Sequence, residues 1–183
     1  DTSEEEAELY LEKTDRAIKE AVELIEKVRT LREVEAREEA EEIWIDSTIK
    51  NVISEHQSEL SEEEIEVDYE KIDCKVRSSP LLEELFSNIV ENSIKHSGCS
   101  KIRIYGESKD DEFFVTIEDD GKGISDTDKE NVFDREIKKG ESSGSGLGLF
   151  MVKRIAESHG GKVDVKDSDL GGARFDIRLE LVE

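Results

Sequence analysis

Cysteine, long apolar runs and positive charge are all scarce in this chain. Cys74 and Cys99 are its only cysteines, with no CxxC between them, and His56, His96 and His159 are scattered. Zinc and disulfide frameworks therefore have little support, and a reducing cytosol suits the composition. No stretch approaches the ~20 apolar residues of a membrane span, and nothing reads as a signal peptide. Lys and Arg number 26 against 49 Asp and Glu, a formal charge of -23. Such a surface repels nucleic-acid backbones and anionic membranes, which argues against either as a partner. Methionine occurs once, at Met151, and the chain opens on Asp1 inside a helical pattern, so a piece of a longer protein is expected.

Glycine and proline are also missing from residues 3 to 36. There Tyr10, Ala17, Leu24 and Leu31 recur beside Leu11, Ile18 and Ile25, with Ala21 and Val28 alongside. These positions form one broad stripe on a helix, suited to a bundle, and a lone helix cannot bury it. A second helix or a second copy of the chain is the expected partner. Ser3 and the glutamates after it suit the N-terminal turn.

The rest, 34% apolar over the whole chain, can bury one ordinary core. "EAREEAEE" (35–42) reads as a helix end or connector, and Asp46 or Ser47 as the cap of a short helix through about Gln57. "EIEVDYE" (64–70) and "KIDCKV" (71–76) alternate as strands. Ser79 then reads as an N-cap with Pro80 at the first helical position, opening a helix on Leu81, Leu82, Leu85, Ile89, Val90 and Ile94 that stops at Gly98. "SKIRIYGES" and "DEFFVTIED" are adjacent strands, and 121–146 is a polar, glycine-punctuated loop with a short helical turn near 127–133. A helix over 147–158, a "HGG" stop and the strands "KVDVKD" and "ARFDIRLEL" complete the chain. The fold predicted is α+β, a two-layer sandwich of a mixed sheet with helices on one face, plus the long N-terminal helix.

Three clusters carry chemistry. In "NIVENSIKH", Asn88, Asn92 and Lys95 share one helical face, with His96 next to them. Amide oxygens are hard neutral ligands suited to Mg2+, and a lysine there can meet phosphates, although the same residues also suit a plain solvated face. In "IEDDGKGIS", an apolar strand ends at Asp119, followed by Gly121 and Gly123. Here the backbone can turn sharply against a flat ligand, and the acceptor-only carboxylate suits an exocyclic amine such as adenine's. Asp-Gly is equally a hairpin signal. In "GSGLGLF", Gly144, Gly146 and Gly148 alternate before a helix, a backbone that phosphate oxygens can approach. The spacing matches neither GxGxxG nor a P-loop.

In order and spacing the clusters resemble the N, G1 and G2 boxes of the GHKL (Bergerat-fold) ATP-binding superfamily, most closely the catalytic domain of sensor histidine kinases. "LFSNIVENSIKHS" is similar to the N box, "DDGKGI" to G1, "VFDREIKK" to the F box and "GSGLGLFMVKRIAESHGGKV" to G2, over about residues 40 to 183. The resemblance implies ATP and Mg2+ as cofactors. It makes Asn92 the metal-coordinating asparagine with Asn88 as its companion, Lys95 a phosphate contact, and His96 a residue lining the nucleotide. Asp119 becomes the carboxylate that recognises adenine N6, in a pocket shaped by Gly121 and Gly123 with Ile124 and Val132. Lys138 becomes a basic lid residue, and Gly144, Ser145, Gly146, Leu147 and Gly148 the phosphate-side loop.

This sequence departs from the pattern at Asp120, where G1 usually has asparagine, and at Glu136, where the F box usually has a second aromatic; its lid is also short. ATP-hydrolysing members, and serine kinases of the superfamily, resemble one another in a glutamate one turn before the metal asparagine. Here that place is Asn88, an amide that cannot act as general base. The resemblance thus implies transfer of the γ-phosphoryl to an external nucleophile. The alternatives are a GHKL-type ATPase or serine kinase, and a non-catalytic ATP-sensing module.

Residues 1–38 resemble the second helix of a dimerisation and phosphoacceptor domain, and 39–183 the ATP-binding domain. The first helix, with its phosphoacceptor histidine, is expected outside this chain. The implied partners are that histidine domain, a response-regulator receiver domain, and a second protomer in the intact protein.

Overall fold

A computed structural model describes residues 40–109, 112–134, 147–158 and 160–182, with scattered positions between 10 and 34. Strand β1 (Glu41–Trp44) runs directly into α1 (Ile45–Glu55), followed by α2 (Gln57–Glu62). Strands β2 (Glu66–Tyr69) and β3 (Lys75–Ser78) precede α3 (Leu81–Asn92), which continues as a π-helical turn over Ser93–Ser97. Then come β4 (Lys101–Lys109), β5 (Glu112–Asp119), α4 (Asp126–Lys129), α5 (Gly148–Ser158), β6 (Lys162–Asp167) and β7 (Ala173–Leu179). The main sheet has the order β2-β4-β5-β7-β6, with β2 parallel to β4 and the other pairs antiparallel. The mixed two-layer α+β fold is as the sequence predicts.

Its core follows from two periods that meet. Ile102 and Ile104, Val115 and Ile117, and Phe175 and Ile177 alternate along three central strands and are fully buried. Ile45, Ile49 and Val52 of α1, Leu82, Leu85 and Ile89 of α3, and Val152 and Ile155 of α5 meet them at helical spacing. Each such side chain contributes about 1.5–3 kcal/mol by leaving water.

Several boundaries differ from the sequence reading. Glu41 and Glu42, the tail of the 35–42 helix end or connector, belong with Ile43 and Trp44 to a strand paired antiparallel with β3. The strands read at 64–70 and 71–76 part company: β2 edges the main sheet, while β3 joins β1 in a separate two-stranded ribbon. Because Trp44 ends β1 in extended geometry, helix α1 starts a residue before the expected caps. Asp46 instead accepts from Lys50 at 2.8 Å and from the Tyr69 hydroxyl at 2.9 Å. Ser47 donates back to the Trp44 carbonyl at 3.0 Å. Pro80 has helical dihedrals, but it is the Ser79 carbonyl that accepts from Leu82 N–H at 2.9 Å; the Ser79 hydroxyl is buried with no partner and caps nothing.

The described positions between 10 and 34 are helical. Val34 is buried with the core, whereas Tyr10, Leu11, Ile18, Val22, Ile25 and Val28 are exposed. Leu24 and Leu31 of the predicted stripe lie outside the described residues. Among the described residues no helix is long and apolar enough to cross a membrane.

Candidate functional site

The site gathers at the C-terminal ends of α3 and β5. Asp119 is the last residue of β5 and is 1% exposed. A buried carboxylate must be hydrogen-bonded to be tolerated, and its partners come from three segments. Ser93, on the π-turn, donates its hydroxyl to Oδ2 at 3.0 Å. Gly121 N–H donates to Oδ1 at 3.0 Å and Ala173 N–H to the same oxygen at 3.3 Å. Gly172 N–H donates to the Asp119 carbonyl at 3.1 Å. With Oδ1 shared by two amides, Oδ2 keeps acceptor capacity beyond Ser93.

Glycine is required where this web is tight. A Cβ on Gly172 would stand 2.2 Å from Asp119 Oδ1, and one on Gly121 would stand 2.6 Å from the Ser97 carbonyl. Gly123 has a φ of 68°, the left-handed region. Its chain leads on to half-buried Ile124, so "DDGKG" is a strand exit and not a hairpin. Asp120 takes no part in the pocket. Its carboxylate accepts from Ser100 N–H at 2.8 Å, Lys101 N–H at 2.9 Å and the Ser100 hydroxyl at 2.7 Å, tying β5 to the start of β4. The Ser100 hydroxyl holds its carboxyl below the usual carboxylate range, against the opposing effect of burial.

On α3, Asn88 is buried and Asn92, one turn later, is half-buried. The Asn88 amide donates to the Glu84 carbonyl at 2.7 Å and to Glu84 Oε1 at 3.0 Å. That leaves Asn88 Oδ1 buried without a hydrogen-bond partner. Gly148, the first residue of α5, packs on this oxygen: a Cβ there would be 3.0 Å away. The stretches read as N box and G2 thus meet at Asn88 and Gly148. An orphaned, neutral, hard oxygen of this kind fits a Mg2+ site.

Lys95 and His96 are both exposed on the π-turn, which departs from the α-helical spacing that would stack Lys95 above Asn92. Lys95 forms an ion pair with Glu91. Leu147 is buried at the head of α5. Val132 is half-buried. Next to it Phe133 meets Phe175 edge to face with centroids 6.4 Å apart. Lys138, Gly144, Ser145 and Gly146 lie outside the described residues.

Sequence reasoning missed the β6–β7 turn, whose Gly172 and Ala173 donate to Asp119. The Gly171-Gly172 pair ahead of a strand is the signal that could have found it.

Comparison with known proteins bears on family and fold. The family described as "Histidine kinase-, DNA gyrase B-, and HSP90-like ATPase" matches residues 77–183. The sensor-type histidine kinase PrrB of Mycobacterium leprae is 35% identical over 95 residues, covering 50% of this chain and 21% of that protein. The sensor histidine kinase CpxA of Escherichia coli K12 is 38% identical over 105 residues, 55% of this chain and 23% of that one. The ATP binding domain of PrrB from Mycobacterium tuberculosis superposes with a TM-score of 0.66 at 24% identity, over 80% of this chain and 100% of that one. The chain therefore spans about a fifth of the length of the curated relatives it matches.

Proposed function

Because the chain belongs to the family of histidine kinase-, DNA gyrase B- and HSP90-like ATPases, we propose that it is the ATP-binding kinase module of a two-component sensor kinase. In this reading it passes the ATP γ-phosphoryl to a histidine on a phosphoacceptor domain, from which an aspartate of a response regulator takes it, in the cytoplasm. Residues 1–38 serve as the second helix of the dimerisation domain, joining two protomers in the intact protein through the exposed apolar stripe, and 39–183 bind the nucleotide.

The observation that carries the proposal is the fixed, buried carboxylate of Asp119 at a strand end. Its two oxygens are oriented by donors on three sides, so the free acceptor direction on Oδ2 is set before a ligand arrives; adenine's exocyclic amine suits it. Gly121, Gly123, Ile124 and Val132 line the base. Asn92 and Asn88 would hold Mg2+, which neutralises polyphosphate charge when bound. By the resemblance, Lys95, Lys138 and the residues Gly144 to Gly148 would contact the phosphates, and His96 would line the nucleotide. Asn88 stands where the hydrolytic relatives resemble one another in carrying glutamate, so no carboxylate there can activate water, and positioning with charge neutralisation remains as the means of catalysis.

Titration calorimetry of Mg-ATP into the wild type and Asp119→Asn tests the assignment. The amide nitrogen of asparagine presents a donor toward Ser93 and toward the adenine amine, so at least about tenfold weaker binding is expected. Equal affinity in both proteins would refute the adenine contact. A phosphoacceptor domain supplied with the wild type and labelled ATP should gain acid-labile phosphate; nucleotide binding without transfer would favour an ATP-sensing module.

A further inference from the structure

Behind Asp119, on the opposite face of β5, lies a second buried carboxylate that nucleotide binding does not itself require. Glu118 is 1% exposed. One oxygen accepts from Arg103 Nε at 2.8 Å and from the same guanidinium's Nη2. The other accepts from the Ser168 hydroxyl at 2.7 Å. Ser168 opens the β6–β7 turn and closes it internally: its hydroxyl accepts from Leu170 N–H at 2.9 Å and its carbonyl from Gly171 N–H at 3.0 Å. Its own N–H donates to the Gly172 carbonyl at 2.9 Å.

The far end of this turn is the Gly172–Ala173 pair that donates to Asp119. The Gly172 carbonyl also lies 3.4 Å from where a Cβ of Gly123 would sit. Just before the turn, Asp167 accepts from Lys129 of α4 at 2.6 Å. The seven residues from Asp167 to Ala173 therefore touch the Asp119 carboxylate, Gly123 and helix α4. With two adjacent glycines and a φ of 110° at Gly171, such a segment has little intrinsic stiffness. The Ser168 hydroxyl, bonded on both sides and buried, ties the near end of the turn to Glu118 of β5, as the Gly172 and Ala173 amides tie the far end to Asp119.

We propose that Ser168 is a positioning residue for adenine recognition: held by Glu118 and Arg103, it fixes the turn that orients Asp119. The inference rests on Asp119 being the adenine contact.

The test uses the full chain and two probes, Mg-ATP and Mg-tripolyphosphate, the second lacking the base. Ser168→Ala removes a hydrogen bond to a charged acceptor and is expected to weaken ATP about tenfold while leaving tripolyphosphate affinity unchanged. Ser168→Thr, which keeps the hydroxyl, should restore ATP binding. Loss of both affinities in parallel would mean a merely structural role and overturn the proposal, as would unchanged ATP affinity in Ser168→Ala. If Ser168→Ala does not fold, Glu118→Gln keeps the volume and weakens the same bond; about threefold weaker ATP binding is then expected, and none would overturn the proposal. Asp119→Asn separates the two failures. Unchanged ATP binding in that variant refutes the adenine contact itself, whereas weakened binding there with no effect at Ser168 refutes only the positioning role.

Discussion

Replacing Gly121 by alanine tests whether the proposed adenine pocket is held together from the π-turn. The new Cβ would stand 2.6 Å from the Ser97 carbonyl and 2.7 Å from both Ser97 Cβ and Oγ. None of these is the end of a flexible side chain. The Ser97 carbonyl accepts from Lys122 N–H at 3.0 Å, and its hydroxyl donates to the Ser93 carbonyl at 2.7 Å and accepts from Cys99 N–H at 3.0 Å. Relief thus comes only by moving the turn. Overpacking costs about 1–3 kcal/mol and the lost Lys122 bond about 1 kcal/mol, so a destabilisation of about 2–4 kcal/mol is expected in equilibrium urea unfolding. Because Ser93 rides on the same turn and donates to Asp119, ATP affinity should fall as well. Gly98→Ala is the matched control. Gly98 flanks the same turn with a φ of 66° but no atom lies within 4 Å of its Cβ position, so only the left-handed penalty applies, about 1–2 kcal/mol. That variant should keep ATP affinity once folded. Equal effects of the two substitutions on both stability and ATP binding would refute the reasoning.

Further outcomes concern charge. Asp120 titrates below its ordinary value near 3.8, so its contribution to stability is complete above that value and is lost as pH falls through the lower folded value. Thermal unfolding followed from pH 6 to pH 2.5 should show Asp120→Asn with a shallower acid loss than the wild type; superimposable slopes would show that Asp120 carries none of it. Lys95→Gln should weaken Mg-ATP binding severalfold at low salt and much less at high salt, since screening removes what an exposed cation contributes; a salt-independent effect would count against a phosphate contact. Finally, labelled ATP should leave this chain without stoichiometric phosphate on His56, His96 or His159. His56 is buried between Glu59 at 2.8 Å and Ser87 at 2.8 Å, so phosphate mapped there would contradict the packing.

Strand and helix periods were plain in the sequence where apolar and polar residues alternate with the period of the element. Val115 and Ile117 alternate with Thr116 and Glu118, and Leu82, Leu85 and Ile89 repeat as a helix must. Asp119 and Gly148 stood out because they sit at element ends, where residue type is constrained by backbone geometry. What stayed hidden depends on contacts remote in sequence. Glu41 and Glu42 read as helix end or connector because their strand exists only through pairing with β3. The π-turn leaves no periodic trace, since one extra residue in a turn shifts Lys95 and His96 without changing composition. Ser168 looks like an ordinary turn serine until Glu118 is placed beside it, 50 residues earlier in the chain.

The ribbon of β1 and β3 bears on how force would travel through the molecule. β1 follows the segment in which Val34 is embedded in the core, and β3 is stitched to the end of the chain by Arg77 N–H to the Glu180 carbonyl at 2.9 Å and Val182 N–H to the Lys75 carbonyl at 3.1 Å. The ribbon is therefore a clasp between the domain's first strand and its last residues. A twist applied through the segment preceding β1 would be borne by this clasp, in shear along the strands, before it reaches the residues proposed to bind nucleotide. Shortening the chain at Leu179 would open the clasp without touching Asp119 or Asn88, and so would separate the mechanical role of the ends from the chemistry of the site.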